Sequence, residues 1–157
     1  MRTGTVPIVS GLYHLKNSRE PLLYRGSGTG AYWPGPKTWK PGDQVWVDGV
    51  PTGCLLVHRS IFEVMAKDAE VYELRNQGQT VQIKRIFTTP RDYWIDPATG
   101  SYQMRVGTSD LYWCRQIIRD KVLARAGWKT IATRTYPFLV DTRLAVGHID
   151  RTTGQVW

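Results

Sequence analysis

The feature that most constrains the fold is the stretch 106–148, where one amphipathic helix precedes an extended apolar segment. The hydroxyls of Thr108 and Ser109 can cap the first turn of a helix, which places Asp110 near the positive end of the helix dipole. Apolar residues then recur at helical spacing as far as Gly127, a residue type that commonly ends helices. The pattern predicts one helix, then two extended segments that end at His148, so that a carboxylate and an imidazole can meet at one rim of a sheet.

The sequence alone allows more than one role for each of three residues. Asp110 is either a carboxylate that stabilises the start of the helix or a group with a chemical function. His148 ends an apolar run, where a histidine is more often structural or exposed than a ligand. Asp48, between two predicted strands, is either a turn-stabilising residue or a carboxylate of a binding site.

Length and composition indicate one domain. The chain has 157 residues and is 41% apolar, which is enough for a core of its own.

Cys54 and Cys114 lie within apolar patterns and are expected to be buried free thiols. No apolar run is long enough to cross a bilayer and no signal peptide is recognisable, so a soluble cytoplasmic protein without a membrane span is expected.

The remaining pattern predicts strands before residue 90 and a helix between them. Strands are predicted at 7–15, 43–47, 52–57 and 80–87, and a helix at 61–67 with Ser60 as its cap. Residues 70–74 are expected to end a helix, and 92–100 to form an exposed loop. The glycine-rich stretch 26–30 is expected to be a loop, because prolines follow it where a nucleotide-binding motif would start a helix.

Several of these segments resemble the C-terminal part of GT-A-fold glycosyltransferases of the family 2 type. The motif 108–110 is similar to the family's acidic helix start, 126–128 to its Gly-aromatic turn, and 146–148 to its Gly-His strand end. Upstream, 47–62 resembles a Gly-Cys-x-Leu-Ile strand followed by an Arg-x-x-Phe helix start, and 8–13 resembles the strand after the donor-binding motif. The resemblance implies an α/β fold: a single domain over 1–157, with a mixed β-sheet and few helices, that corresponds to the acceptor-side half of GT-A.

The chain departs from the family in one respect. The family's nucleotide-binding half ends in an Asp-x-Asp motif before the segment matched by 8–13, and residues 1–157 contain no such motif. The resemblance therefore implies a partial glycosyltransferase-like domain whose donor-binding half is supplied elsewhere. A truncated sheet would leave an exposed edge, so a partner chain or self-association through that edge is expected.

The resemblance also implies roles for individual residues. Asp110 matches the general base that takes a proton from the acceptor hydroxyl, and His148 matches a ligand of a divalent metal, Mn or Mg, beside the diphosphate. The implied substrates are a nucleotide-sugar and a sugar or other hydroxyl acceptor. Candidate acceptor-binding residues are Asp48, Asp92, Tyr93 and Trp94, although aromatic residues in loops also serve as packing.

Two alternatives to sugar transfer stay open. The first is a non-enzymatic carbohydrate-binding or structural protein that keeps half of the fold. The second is a basic nucleic-acid-binding domain, which a net charge of +8 and seven tryptophans would suit. The positive charges are scattered along the chain, however, and no nucleic-acid-binding motif is present.

Overall fold

A four-stranded mixed sheet forms the centre of the molecule. The computed structural model describes residues 5–14, 21–26, 39–147 and 154. The sheet has the strand order β2-β8-β1-β3. Its strands are β1 (Ile8–Tyr13), β2 (Gln44–Val47), β3 (Leu55–Val57) and β8 (Phe138–Val146).

The two central strands come from distant parts of the sequence. β1 and β8 pair in parallel, with Val9 opposite Leu139, while β3 joins β1 and β2 joins β8 in antiparallel register. β8 was predicted as two extended segments but is one strand, with an irregular register at Gly11/Leu12. Among the described strands the sheet ends at β2 and β3, and an edge left by truncation that pairs with a partner stays a prediction.

The hydrophobic core lies between this sheet and the helices. Helix α1 is Arg59–Asp68, α2 is Ser109–Arg119, α3 is Val122–Arg125 and α4 is Lys129–Ala132. β2 alternates as predicted, with Val45 and Val47 buried and Gln44 exposed. Side chains buried from the sheet and helices include Ile8, Val47, Phe138, Val140, Ile61, Val64, Trp113, Ile117, Val122, Leu123 and Trp128.

The predicted single helix that ends at Gly127 is wrong, because the chain turns between α2 and α3. Lys121 adopts a left-handed conformation, with φ 52°, and the helical path restarts at Val122. The buried face of α2 contains Trp113 and Ile117. If the helix continued without a break, the next residues on that face would be the charged Asp120 and Lys121. The turn instead brings Val122 and Leu123 onto the core. The helical segment then ends before Gly127, which has φ 88°. A helix end at this glycine was predicted from the sequence.

The cap of α1 also differs from the prediction. His58, rather than Ser60, precedes the first turn, and its Nδ1 accepts a hydrogen bond from the Ser60 N–H at 3.2 Å. The Ser60 hydroxyl instead accepts a hydrogen bond from the indole Nε1 of Trp128 at 3.0 Å. The serine therefore joins the start of α1 to the turn that follows α3.

Two hairpins occupy the segment 70–107. β4 (Val71–Asn76) pairs with β5 (Gln79–Lys84), and β6 (Arg91–Ile95) pairs with β7 (Tyr102–Val106). The predictions of a helix end at 70–74 and a loop over 92–100 are therefore wrong. Both segments contain residue types that favour strands, Val71 and Tyr72 in the first and Tyr93, Trp94 and Ile95 in the second. They do not alternate regularly with polar residues, and the charged and turn-forming residues nearby outweighed them.

The observed architecture is a single mixed α/β domain with few helices and several small sheets. This coarse class is as predicted, whereas the likeness to half of a GT-A fold stays a prediction. Within the described ranges, no helix is long and apolar enough to span a membrane. Cys54 and Cys114 are free thiols, of which Cys114 is buried and Cys54 half-buried.

Candidate functional site

Asp110 lies in the first turn of α2, half-buried. Its Oδ1 accepts a hydrogen bond from the Leu111 N–H at 2.9 Å, and Thr108 is the residue before the helix, with no side-chain capping bond. The amides of a first helical turn favour a negative charge, so this is a stable position for a carboxylate. Asp110 therefore performs the helix-stabilising role and still has part of its surface open to solvent.

Asp48 directly follows β2 and is buried. Its backbone N–H donates to the Tyr24 carbonyl at 3.0 Å, and its carboxylate Oδ2 accepts a hydrogen bond from the Gly26 N–H at 2.8 Å. The side chain thus holds the start of the glycine-rich stretch against the end of β2. The turn-stabilising role that the sequence left open is supported by these bonds.

The turn after β2 packs closely against the first turn of α2. A Cβ added to Gly49 would lie 2.9 Å from Leu111 Cδ2 and 3.0 Å from Tyr24 Cβ, so only glycine fits without a shift. Val50 then contacts the next turn of the helix, where its N–H donates to Cys114 Sγ at 3.4 Å. This close approach connects two segments that lie far apart in the sequence.

The two carboxylates converge on the Cys114 thiol. Burial raises the pKa of Cys114 to about 12, a hydrogen bond from Val50 opposes the rise, and the negative charges of Asp110 and Asp48 add to it. Both charges act on the thiol because the turn after Asp48 packs against the start of α2, where Asp110 lies. The structure brings together two residues that the sequence predicted as site residues from separate motifs.

A pair of arginines stacked on aromatic rings adjoins Asp48, and the sequence analysis did not identify it. The guanidinium of Arg134 lies 3.8 Å from the centre of the Trp46 ring, and that of Arg25 lies 4.7 Å from the centre of the Tyr136 ring. Arg25 Nε also donates to the Trp46 carbonyl at 2.8 Å. Stacked guanidiniums bind carboxylates and phosphates well. The sequence feature that could have indicated this pair is Trp46, an aromatic residue at an outward-facing position of β2.

The predicted metal site lies largely outside what the structure describes. His148 lies outside the described residues. Among the residues that are described, no group of three or more His, Cys, Asp or Glu could hold a metal ion. The nearby Asp141 is paired with Arg143, whose guanidinium lowers the pKa of the carboxyl to about 2. A divalent metal thus stays a prediction.

The three candidate acceptor residues on β6 lie on an exposed hairpin, away from the core. Asp92 and Trp94 share one face of β6, and Tyr93 lies on the other, so they do not form a single surface. The base of the hairpin is closed by a hydrogen bond from the Gly107 N–H to the Pro90 carbonyl at 3.0 Å. Their role in acceptor binding stays a prediction.

Comparison of the chain with protein-family models, curated proteins and solved structures found no match.

Proposed function

We propose that this chain contributes the acceptor side of a glycosyltransferase that moves a sugar from a nucleotide-sugar to an acceptor hydroxyl. The observation that supports this most directly is the close packing of the turn after Asp48 against the start of α2, where Asp110 lies. The two residues belong to separate segments, 108–110 and 47–62, that both resemble glycosyltransferase motifs. A chance likeness would not require these two segments to meet in space.

In the proposed reaction Asp110 is the general base. The acceptor oxygen forms a bond to the anomeric carbon as the bond from that carbon to the diphosphate breaks, and the diphosphate leaves with the electron pair. The hydroxyl proton passes to the Asp110 carboxylate, which must lie within hydrogen-bond reach of the acceptor. Its half-exposed position at the start of α2 leaves one side open for such a contact.

Asp48 and the stacked arginines are proposed to position the ligands. Asp48 fixes the residue at which the glycine-rich stretch starts, through its bond to the Gly26 N–H. Arg134, exposed and stacked on Trp46, places positive charge beside that turn, where it can attract a negatively charged substrate. The divalent metal implied by the resemblance would neutralise the charge of the diphosphate.

The proposal is tested by measuring transfer and binding separately on the full chain. A panel of nucleoside-diphosphate sugars, with and without manganese, is first screened for binding by calorimetry. Any donor that binds is then offered with a panel of hydroxyl acceptors, and the glycosylated product is measured by mass spectrometry. Asp110→Asn should lower the transfer rate at least about 100-fold, because general-base catalysis contributes that much, and should leave donor affinity nearly unchanged.

Asp120→Asn is the matched control. Asp120 follows the other end of α2, is exposed and is paired with Arg119, so its substitution should change neither transfer nor binding. Equal loss in both variants would point to a general effect on the helix and contradict the base role. A chain that binds neither a nucleotide-sugar nor any hydroxyl acceptor would contradict the proposed function.

The nucleic-acid alternative is favoured by one observation, the arginines stacked on Trp46 and Tyr136. Stacking aromatics combined with positive charge are typical of single-strand binding surfaces. Binding of a labelled oligonucleotide that weakens steeply with salt, and that Arg134→Gln reduces, would support this alternative. Affinity that Arg134→Gln does not change would exclude this surface as the binding site.

A further inference from the structure

The hairpin of β6 and β7 has one apolar face and one polar face. In its register Tyr93 lies opposite Met104, and Ile95 lies opposite Tyr102. Residues opposite each other in an antiparallel pair project to the same side. Four apolar side chains therefore share one face, which Val106 extends, and Arg91, opposite Val106, lies at the end of the same face. The other face contains Asp92 opposite Arg105 and Trp94 opposite Gln103.

The apolar face is uncovered along its whole length. Its five apolar side chains, those of Tyr93, Ile95, Tyr102, Met104 and Val106, are between 51% and 85% exposed. Together they present roughly 500–600 Å² of apolar surface. A monomeric protein rarely leaves a contiguous patch of that size open unless it is an interaction site. An isolated two-stranded hairpin is also at best marginally stable in water, so a cover would stabilise it.

The charges of the hairpin select the kind of partner. Residues 91–106 contain Arg91, Asp92, Asp96 and Arg105, which sum to zero, within a chain whose net charge is +8. The hairpin therefore adds no net charge to the repulsion between two positively charged copies, although Arg91, opposite Val106, lies at the end of the apolar face. The area also suffices: two such faces together bury roughly 1,000–1,200 Å², which reaches the size expected of a specific interface.

We propose that the apolar face of the β6–β7 hairpin binds the same face of a second copy of this chain. The two hairpins stack face to face about a two-fold axis, at the spacing of about 10 Å that packed sheets adopt. The second hairpin, β4–β5, is less suited, because its apolar side chains are more covered and Arg85 stacks on Tyr72. This inference concerns assembly and does not depend on sugar transfer.

The dimer is tested by sedimentation equilibrium of the full chain from low micromolar to several hundred micromolar concentration. The wild-type chain should associate to a dimer in this range. The double variant Tyr93→Ser, Tyr102→Ser should remain monomeric, with a dissociation constant raised at least about 100-fold, because it removes the two largest side chains of the interface. Far-ultraviolet circular dichroism of each variant checks that the domain stays folded.

Trp94→Ser is the matched control, because Trp94 is an exposed aromatic residue of the same strand on the opposite face. It should dimerise as the wild type does. Raising the salt concentration should not weaken the dimer, since its contacts are apolar and the charged residue of this face, Arg91, has the same sign in both copies. A wild-type monomer throughout the range, equal dissociation in the Trp94→Ser variant, or dissociation by salt would each overturn the proposal.

Discussion

The burial of Cys114 makes a quantitative prediction about thiol chemistry. The pKa of Cys114 is raised from 9.0 to about 12, so at pH 8 its thiolate is about a thousandfold scarcer than that of an ordinary cysteine. Only the thiolate attacks a disulfide reagent. In a Cys54→Ser background, the remaining thiol should therefore react with dithionitrobenzoate at least about a thousandfold more slowly in the folded than in the urea-unfolded chain.

Substitution of Asp110 then probes the site itself. Asp110→Asn removes a negative charge near the sulfur, which lowers the pKa of Cys114 and speeds the reaction. Burial is the largest cause of the shift, so the gain should stay below about tenfold. The release of thionitrobenzoate is followed at several pH values and corrected for any change in the free energy of unfolding.

Asp120→Asn serves again as the control and should leave the rate unchanged. Fast labelling of Cys114 in the folded wild-type chain would refute its burial. A rate that Asp110→Asn does not raise would refute the proximity of this carboxylate to the thiol, and with it the main support for the proposed site.

Three further predictions concern stability. Phe138→Ala removes a fully buried ring from β8 and should lower the free energy of unfolding in urea by about 3–5 kcal/mol; a loss below about 1 kcal/mol would show that the site is not tightly packed. The folded pKa of Asp141 is lowered from 3.8 to about 2, so the stability from its pair with Arg143 is present above pH 3.8 and lost as the pH falls towards 2. Arg143→Gln should flatten that part of the acid-unfolding curve, and an unchanged curve would contradict the pairing. Gly11→Ala would place a Cβ 2.8 Å from the Leu144 carbonyl oxygen and should cost about 1–3 kcal/mol, measured by thermal unfolding; an unchanged midpoint would contradict this contact.

β1 and β2 were predictable because they carry the pattern of buried elements, whereas the strand predicted at 52–57 begins only at Leu55, after a 3₁₀ turn over Thr52–Cys54. Apolar runs at 7–15 and 43–47 indicated β1 and β2, and their observed bounds fall within those ranges. The break after α2 was not predictable from the helical spacing of apolar residues. By that spacing, one continuous helix would place Leu111, Cys114, Ile118 and Val122 on the same face. Only the packing of Trp113 against the core shows which face the helix uses.

The hairpins were missed for a different physical reason. Nearly all residues of their strands are exposed. The sequence therefore shows no alternation of buried and exposed positions that would reinforce the strand propensity of individual residues. For the site, sequence motifs identified Asp48 and Asp110 but not their proximity, which depends on the close approach that Gly49 permits. The stacking of Arg134 on Trp46 joins residues far apart in sequence, and no local pattern reveals it.

The parallel pairing of β1 with β8 affects how the chain can fold as it is synthesised. β3 pairs with β1, so these two strands and α1 can associate early. β2 pairs with β8 alone among the described strands, and its Val45 and Val47 face the core. Until β8 has emerged from the ribosome, the backbone groups of β2 lack the strand they pair with and lie beside apolar side chains. The nascent chain should therefore be a substrate for chaperones that bind extended apolar segments, and residues 44–47 are where we expect them to bind.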